Sequence, residues 1–148
     1  MSLNKIFDEF NNLYGIKTKD IQHDQESMCS LIDDEFSEML DETISRQVNH
    51  HDFVKEAIDL VYITCQQLRE RGVNLDSALG EVHRSNMSKS VEASNVVEQL
   101  EIARERYPHA MDTTNDCEVF VLKCEKTGKV IRPTTYSPTV ITNEMIGR

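Results

Sequence analysis

Two pairs of acidic residues occur at the same spacing in two different parts of the chain. The first pair is Glu35 and Glu38, and the second is Glu56 and Asp59. Residues three apart on a helix project from one face, and Glu35 and Glu56 each fall within the apolar stripe of their own predicted helix. Charged carboxylates are costly in such a place unless they are protonated, paired or bound to a cation.

Two such helices packed together would bring the four carboxylates to one point, with Asp34 offering a fifth. An all-oxygen set of ligands favours Mg²⁺, with Mn²⁺ as a substitute, over zinc. For any single pair, a solvated acidic face is the better interpretation, and structural ion pairs can imitate a functional cluster. The repetition of the pair, each time within an apolar stripe, favours a metal site.

A neutral donor and a cation extend the apolar stripe of a later predicted helix. Asn86 and Lys89 could hold a phosphate there, or could mark a helix end that emerges into solvent. The chain has neither of the glycine-rich phosphate-binding motifs, G-x-x-x-x-G-K-[ST] or G-x-G-x-x-G, and no nucleophile triad can be assembled. We therefore expect phosphate to be held by metal and side chains.

The composition of the 148 residues is that of a globular protein, with 39% hydrophobic and 28% charged residues. A net charge of −10 argues against broad binding to nucleic acid or to anionic membranes, and is compatible with bound cations. There is no apolar run long enough to cross a membrane and no signal pattern, so we expect a cytoplasmic protein. The four cysteines are widely and irregularly spaced, which predicts free thiols.

Helices are the elements expected to position these residues, because the first 106 residues have mostly helical periodicity and none of the three prolines. The predicted helices are, approximately, 3–14, 24–47, 51–71, 74–89 and 90–107. The third is apolar over so wide an arc that we expect contact with a second subunit, in a homodimer or a dimer of dimers.

The character of the sequence changes after Pro108. Residues 117–133 alternate between apolar and polar around the turn "KTGK", which predicts a β-hairpin, and an irregular tail follows. The predicted fold is therefore all-α: a bundle of four to five helices with a short C-terminal β-hairpin and tail. The predicted domains are 1–107, with its core at 3–90, and 108–148.

Several motifs resemble those of the MazG-like all-α nucleoside triphosphate pyrophosphohydrolases. The family hallmark is E-x-x-E, a spacer and E-x-x-D, here "EFSE" and "EAID" separated by 17 residues. "EVHRSNMSK" resembles the motif of the following helix, "FNNLYG" the first helix, and "GKVIRPTTYSP" a C-terminal extension of phage and bacterial members. The resemblance covers about 3–90 and 118–138. Residues 91–117 look like an added helix, and Asp34 stands where many members have glutamate.

The resemblance implies Mg²⁺-dependent cleavage of a nucleoside triphosphate to a monophosphate and pyrophosphate, as in nucleotide-pool house-cleaning. It implies metal ligands at Glu35, Glu38, Glu56 and Asp59, phosphate contacts at Asn86 and Lys89, and a base pocket from Phe10, Asn11 and Tyr14. Asp34 or a free oxygen of Glu35 would take the proton of the attacking water, and Phe10 could equally be a core residue. The alternative function is a non-catalytic helical dimer, stabilised by cations, that acts as an interaction module.

Overall fold

The computed structural model describes residues 2–44, 49–114 and 119–148. These residues form five α-helices and one three-stranded antiparallel sheet, which confirms the predicted fold class. The helices are α1 (Leu3–Leu13), α2 (Gln25–Ile44), α3 (His50–Glu70), α4 (Leu75–Met87) and α5 (Val96–Arg106), and the strands are β1 (Ser90–Glu92), β2 (Ala110–Thr114) and β3 (Val119–Cys124). The predicted end of the second helix, 45–47, and Cys117 lie outside the described residues.

The chain forms two compact units. The helical unit consists of Met1–Ala78 and Ile141–Arg148, and the mixed unit consists of Leu79–Val140. The predicted domain boundary at residue 107 stays a prediction.

The core of the helical unit lies where α1 meets the end of α3 and the start of α4. Phe7, Val73 and Leu75 are buried there. Ser2 caps the start of helix α1: its side chain accepts a hydrogen bond from the Lys5 amide and donates one of 2.6 Å to Asp76. Such a cap satisfies a backbone donor that the first turn leaves free, so the start of α1 is fixed against α4.

A buried polar network at the end of α3 fixes the approach to α2. Arg71 is buried and donates to the backbone carbonyls of His23 and Asp24, at 3.1 and 3.0 Å. Glu70, also buried, accepts from Gln66 and forms an ion pair with Lys19. The residues before α2 are thereby tied to α3, and α2 packs along α3.

The mixed unit is built on a sheet with the order β1-β3-β2. Its core contains Val91, Ala103, Ala110, Leu122 and Ile131, and Leu122 of the central strand is completely buried. The described parts of the chain contain no helix long and apolar enough to cross a membrane.

Two strands of this sheet were not predicted. The predicted helix over 90–107 begins only at Val96, because residues Ser90–Glu92 pair with β3 and place Val91 in the core. Pairing with a central strand and burial outweigh the helical periodicity of this stretch, as tertiary context commonly does. Strand β2 has the polar sequence "AMDTT" and no apolar alternation to reveal it.

The chain does fold back at the predicted "KTGK" turn, where Gly128 has a φ of +67°. Among the described residues, one isolated bridge forms there, between Lys123 and Val130. The amide of Ile131 also donates to the Leu122 carbonyl, at 2.8 Å. The regular partners of β3 are instead β1 and β2, so the predicted hairpin is one short return onto the central strand of a larger sheet.

Candidate metal-binding site

Three of the four predicted metal ligands meet where α2 packs on α3. Glu35 and Glu38 of α2 and Glu56 of α3 each offer one carboxylate oxygen, and these oxygens all lie within 4.8 Å of one another. Glu35 and Glu56 are half-buried and Glu38 is exposed. A helix places residues i and i+3 on one face, which is why the α2 pair can converge on the α3 residue.

The fourth carboxylate, that of Asp59, is held by a lysine and lies outside this close group of three. Lys55 Nζ is 2.8 Å from Glu56 Oε1 and 3.0 Å from Asp59 Oδ2. Hydrogen bonds to these two carboxylates raise the pKa of the Lys55 ammonium above its ordinary value. No role for Lys55 is predicted from the sequence, although a lysine four residues before an aspartate on a helix is a known ion-pair spacing.

The residues present fit a divalent cation. Glu56 Oε2 is buried and finds no hydrogen-bond partner among the described residues, and leaving a buried carboxylate oxygen unpartnered is costly. Burial, followed by the charges of Glu38, Asp59 and Glu56, raises the pKa of Glu35 above its ordinary value. The group therefore has more negative charge than Lys55 offsets, and hard carboxylate oxygens are suitable ligands for a hard cation.

Asp34, predicted as a proton acceptor together with Glu35, is exposed on α2. It is not a member of the group of three carboxylates. The catalytic roles of Asp34 and Glu35 stay predictions, as do the ligand roles of the four acids.

The predicted base-pocket residues of α1 contribute to a cluster of aromatic rings. The ring centroid of Phe10 lies 4.6 Å from that of Tyr14 and 5.7 Å from that of Tyr62, and Tyr62 also contacts Phe7 at 4.9 Å. Tyr62 follows Asp59 by three residues and so shares its face of α3. The aromatic cluster thus begins one helical turn beyond the acids, and Tyr62 is a member that the sequence did not predict.

Asn11 is held by α3 and lines a polar pocket of the helical unit. Its side-chain oxygen accepts a hydrogen bond of 3.2 Å from Gln66 Nε2. The pocket has a volume of about 410 Å³ and also includes Asp8 and Arg69, which form an ion pair of 2.7 Å. The roles of Asn11, Phe10 and Tyr14 in binding a base stay predictions.

Asn86 and Lys89, the predicted phosphate contacts, lie together in the mixed unit at the end of α4. Lys89 Nζ donates a hydrogen bond of 2.6 Å to Asn86 Oδ1. The amide oxygen is thereby occupied, while the ammonium keeps its charge and two further hydrogens for an anion. Their contact with phosphate stays a prediction.

The part of the chain that contains the acidic site matches a known protein family. The model of the PRA-PH family, phosphoribosyl-ATP pyrophosphohydrolase, matches residues 3–86, more than half of the chain and a span that contains all four acids of the two pairs. No curated protein matches the chain. The chain therefore belongs to the phosphoribosyl-ATP pyrophosphohydrolase family, which lies within the MazG-like all-α superfamily. Members of this superfamily are hydrolases that act on phosphoric anhydride bonds.

Proposed function

We propose that this protein is a Mg²⁺-dependent nucleotide pyrophosphohydrolase that converts a nucleoside or deoxynucleoside triphosphate to a monophosphate and pyrophosphate. The observation that carries the proposal is the meeting of Glu35, Glu38 and Glu56 from two helices, together with the buried Oε2 of Glu56, which has no hydrogen-bond partner among the described residues. Membership of a pyrophosphohydrolase family supports the reaction type. Removal of unwanted nucleotides from the pool would be the cellular role of this reaction.

The residues divide into three groups by role. Glu35, Glu38, Glu56 and Asp59 would hold the cation, which when bound makes a water more acidic and offsets the charge of phosphate oxygens. Lys89 and Asn86 would contact the phosphates, because an ammonium and an amide both donate to phosphate oxygens. Phe10, Tyr14 and Tyr62 would offer ring faces to the base, with Asn11 as a polar contact.

The proposed bond changes balance without a further reactant. The oxygen of a water molecule bonds to the α-phosphorus, and the bond from that phosphorus to the oxygen bridging it to the β-phosphate breaks. Pyrophosphate leaves with that oxygen, and Asp34 or Glu35 takes a proton from the water. Asp34 is exposed and can pass the proton to solvent. Lys55 holds Glu56 and Asp59 in place through its two ion pairs.

A homodimer, or a dimer of dimers, is part of the proposal. Val54, Ile58 and Val61 of α3 follow one another at helical spacing and are 56%, 60% and 58% exposed. Their spacing of four and three residues places them on one face. An apolar stripe of this kind on the helix that carries Glu56 suits burial against the same stripe of a second copy.

The decisive experiment is to incubate the protein with a panel of nucleotides and to resolve the products by ³¹P NMR, in Mg²⁺ and in EDTA. The panel should contain the common nucleoside and deoxynucleoside triphosphates and phosphoribosyl-ATP, the compound in the name of the matching family. We expect monophosphate or its phosphoribosyl counterpart together with pyrophosphate, in Mg²⁺ only.

The matched variants are Glu56→Gln, which removes one predicted ligand, and Asp33→Asn, which removes an exposed carboxylate of α2 outside the cluster. Turnover should be lost in the first and kept in the second. Orthophosphate as the product would indicate another chemistry. An absence of turnover across the panel would favour the cation-stabilised interaction module.

A further inference from the structure

The mixed unit contains a pocket that shares Lys89 with the proposed hydrolysis but includes none of the acids proposed to hold the cation. Its volume is about 830 Å³, within the range of sites for small organic ligands. It is lined by residues of α5 and of the return after β3, together with Lys89. All of its lining residues lie beyond residue 86, the last that the family model matches.

The pocket is basic in an acidic protein. Four cationic side chains line it, and none of the described residues that line it is acidic. The four are Lys89, Arg106, Lys129 and Arg132. Gathering four positive charges at one concave surface is unfavourable unless anions are nearby, and the chain as a whole has a net charge of −10.

Within the described ranges, none of the four forms an ion pair with a carboxylate. Three of them instead have neutral partners. Lys89 donates to the Asn86 amide oxygen, while the guanidinium groups of Arg106 and Arg132 lie 5.7 and 4.7 Å from the ring centroids of Tyr107 and Tyr136. An aromatic ring orients a guanidinium without removing its charge, so these groups keep their capacity to bind an anion.

The wall that carries Arg132 is fixed by partly buried hydrogen bonds. Gln99 of α5 is buried, and its side-chain oxygen accepts a hydrogen bond of 2.8 Å from the Thr134 amide. Its side-chain nitrogen donates to Thr134 Oγ1 at 2.7 Å. Because α5 and the return after β3 are joined here, the cations from these two segments face the same space before any ligand arrives.

Part of the remaining lining is apolar. Ile102 and Val130 line the pocket and are 40% and 37% exposed. An inorganic anion would leave this apolar surface wet, whereas a phosphorylated organic molecule would cover it. Several cations beside an apolar wall therefore suit a ligand that has both phosphates and a ring.

We propose that this pocket binds a nucleoside diphosphate or triphosphate through Lys89, Arg106, Lys129 and Arg132, without a divalent cation. The proposal does not rest on the proposed hydrolysis, since it requires none of the acids of α2 and α3. Lys89 is the only one of the four with a phosphate role predicted from the sequence.

Calorimetric titration of the full chain with ADP in EDTA tests the proposal. ADP should bind, and adenosine should bind at least about tenfold more weakly, because charge-assisted hydrogen bonds to the phosphates would be missing. The double variant Lys129→Gln with Arg132→Gln should weaken ADP binding by about tenfold or more for the same reason. The matched control is Lys126→Gln, an exposed lysine of the same turn that does not line the pocket.

The rate at which a cysteine is alkylated can show whether the ligand occupies this pocket. Cys124 lines the pocket, whereas Cys29 is an exposed residue of α2. A hydrogen bond from the Thr127 side chain, assisted by backbone amides and by Lys126, lowers the pKa of the Cys124 thiol, which favours its alkylation. ADP should slow the reaction of Cys124 with iodoacetamide, as measured by peptide mass spectrometry, and leave that of Cys29 unchanged.

Further variants separate this proposal from others. Glu56→Gln should lose hydrolysis and keep ADP binding in EDTA, so failure of either proposal is seen independently. The exchanged variant Lys129→Arg with Arg132→Lys should retain binding, which keeps the test valid if the double glutamine variant does not fold.

Three results would overturn the proposal. The first is an absence of ADP binding in EDTA. The second is equal weakening by Lys126→Gln and by the double glutamine variant, which would indicate non-specific attraction. The third is alkylation of Cys124 at the same rate with and without ADP.

Discussion

The two oxygens of the Glu56 carboxylate lie in different environments, one favourable and one unfavourable for its charge. Its Oε1 pairs with Lys55, while its Oε2 is buried without a hydrogen bond from any described residue. Burial, followed by repulsion from the nearby carboxylates, raises the pKa of Glu35 beside it. A site shaped for a cation therefore opposes stability when the cation is absent.

We expect Glu56→Gln to abolish turnover while leaving the metal-free protein as stable as the parent or more stable, by about 1 kcal/mol. The change removes a charge and nearly preserves the shape. Mg²⁺ should raise the melting temperature of the parent more than that of the variant, because a ligand stabilises only the state that binds it. Thermal melts in EDTA and in Mg²⁺ measure both effects. An identical Mg²⁺ shift in the two proteins, or an active variant, would show that Glu56 is not a ligand.

Lys89 is expected to serve phosphate and not metal. An ammonium cannot ligate a cation but donates three hydrogens to anions, so Lys89→Ala should weaken nucleotide binding by about tenfold. Binding of Mg²⁺ should change little. Calorimetry with each ligand separately makes the comparison, with Lys126→Ala as the control for general loss of charge. Equal losses for nucleotide and metal would remove Lys89 from the phosphate role.

At the scale of elements, the end of α4 is joined to the residues that follow the sheet. Glu81 forms a 2.7 Å ion pair with Arg84 and accepts a 3.0 Å hydrogen bond from the Val140 amide. Arg84 in turn donates to the Ser137 hydroxyl and to the Pro138 carbonyl, at 2.8 and 3.0 Å. These contacts hold residues 137–140 on α4, so the predicted irregular tail is irregular but anchored.

This contact should depend on pH. The Arg84 hydrogen bonds, followed by the Val140 amide, lower the pKa of Glu81 from 4.5 to about 2. A carboxylate with a depressed pKa in the folded state stabilises the fold above its unfolded value, and this contribution is lost as pH falls from about 5 to about 2. The stability difference between the parent and Glu81→Gln, from urea unfolding, should shrink over that interval. A difference that does not vary with pH would contradict the expected ionisation of Glu81.

The sequence predicted the elements whose structure depends on residues close together in the chain. Helices α1 and α3 were recognisable from their periodicity and from the glycines beyond their ends, and the acid pairs from a spacing of three. Strand β1 was not, because Val91 is in a strand only through pairing with β3. The basic pocket could not be foreseen either, since Lys89 and Arg132 are separated by more than 40 residues with no motif connecting them.

At the scale of the whole molecule, the exposed stripe of Val54, Ile58 and Val61 predicts self-association. Burying a side chain of this size contributes about 1.5 to 3 kcal/mol, so a charge in the middle of the stripe should oppose assembly. We expect the parent to be a dimer or tetramer at micromolar concentration and Ile58→Glu to be monomeric. Light scattering measures both, with Ile58→Val as the control that keeps the stripe apolar. A monomeric parent would contradict the proposed assembly.

The helical unit is assembled from two separate stretches of chain. Its second stretch, Ile141–Arg148, supplies the Met145 carbonyl to the Asn74 amide at 2.8 Å and the Arg148 guanidinium to Asp20 at 3.2 Å. During synthesis on the ribosome, residues 79–140 emerge before this stretch does. At that point all residues of the mixed unit have been synthesised, whereas the helical unit still lacks Ile141–Arg148 and the contacts that these residues make. A nascent chain arrested at residue 140 would leave the Asn74 amide without its carbonyl, so a stop at that point would impair a unit whose first stretch had already been made.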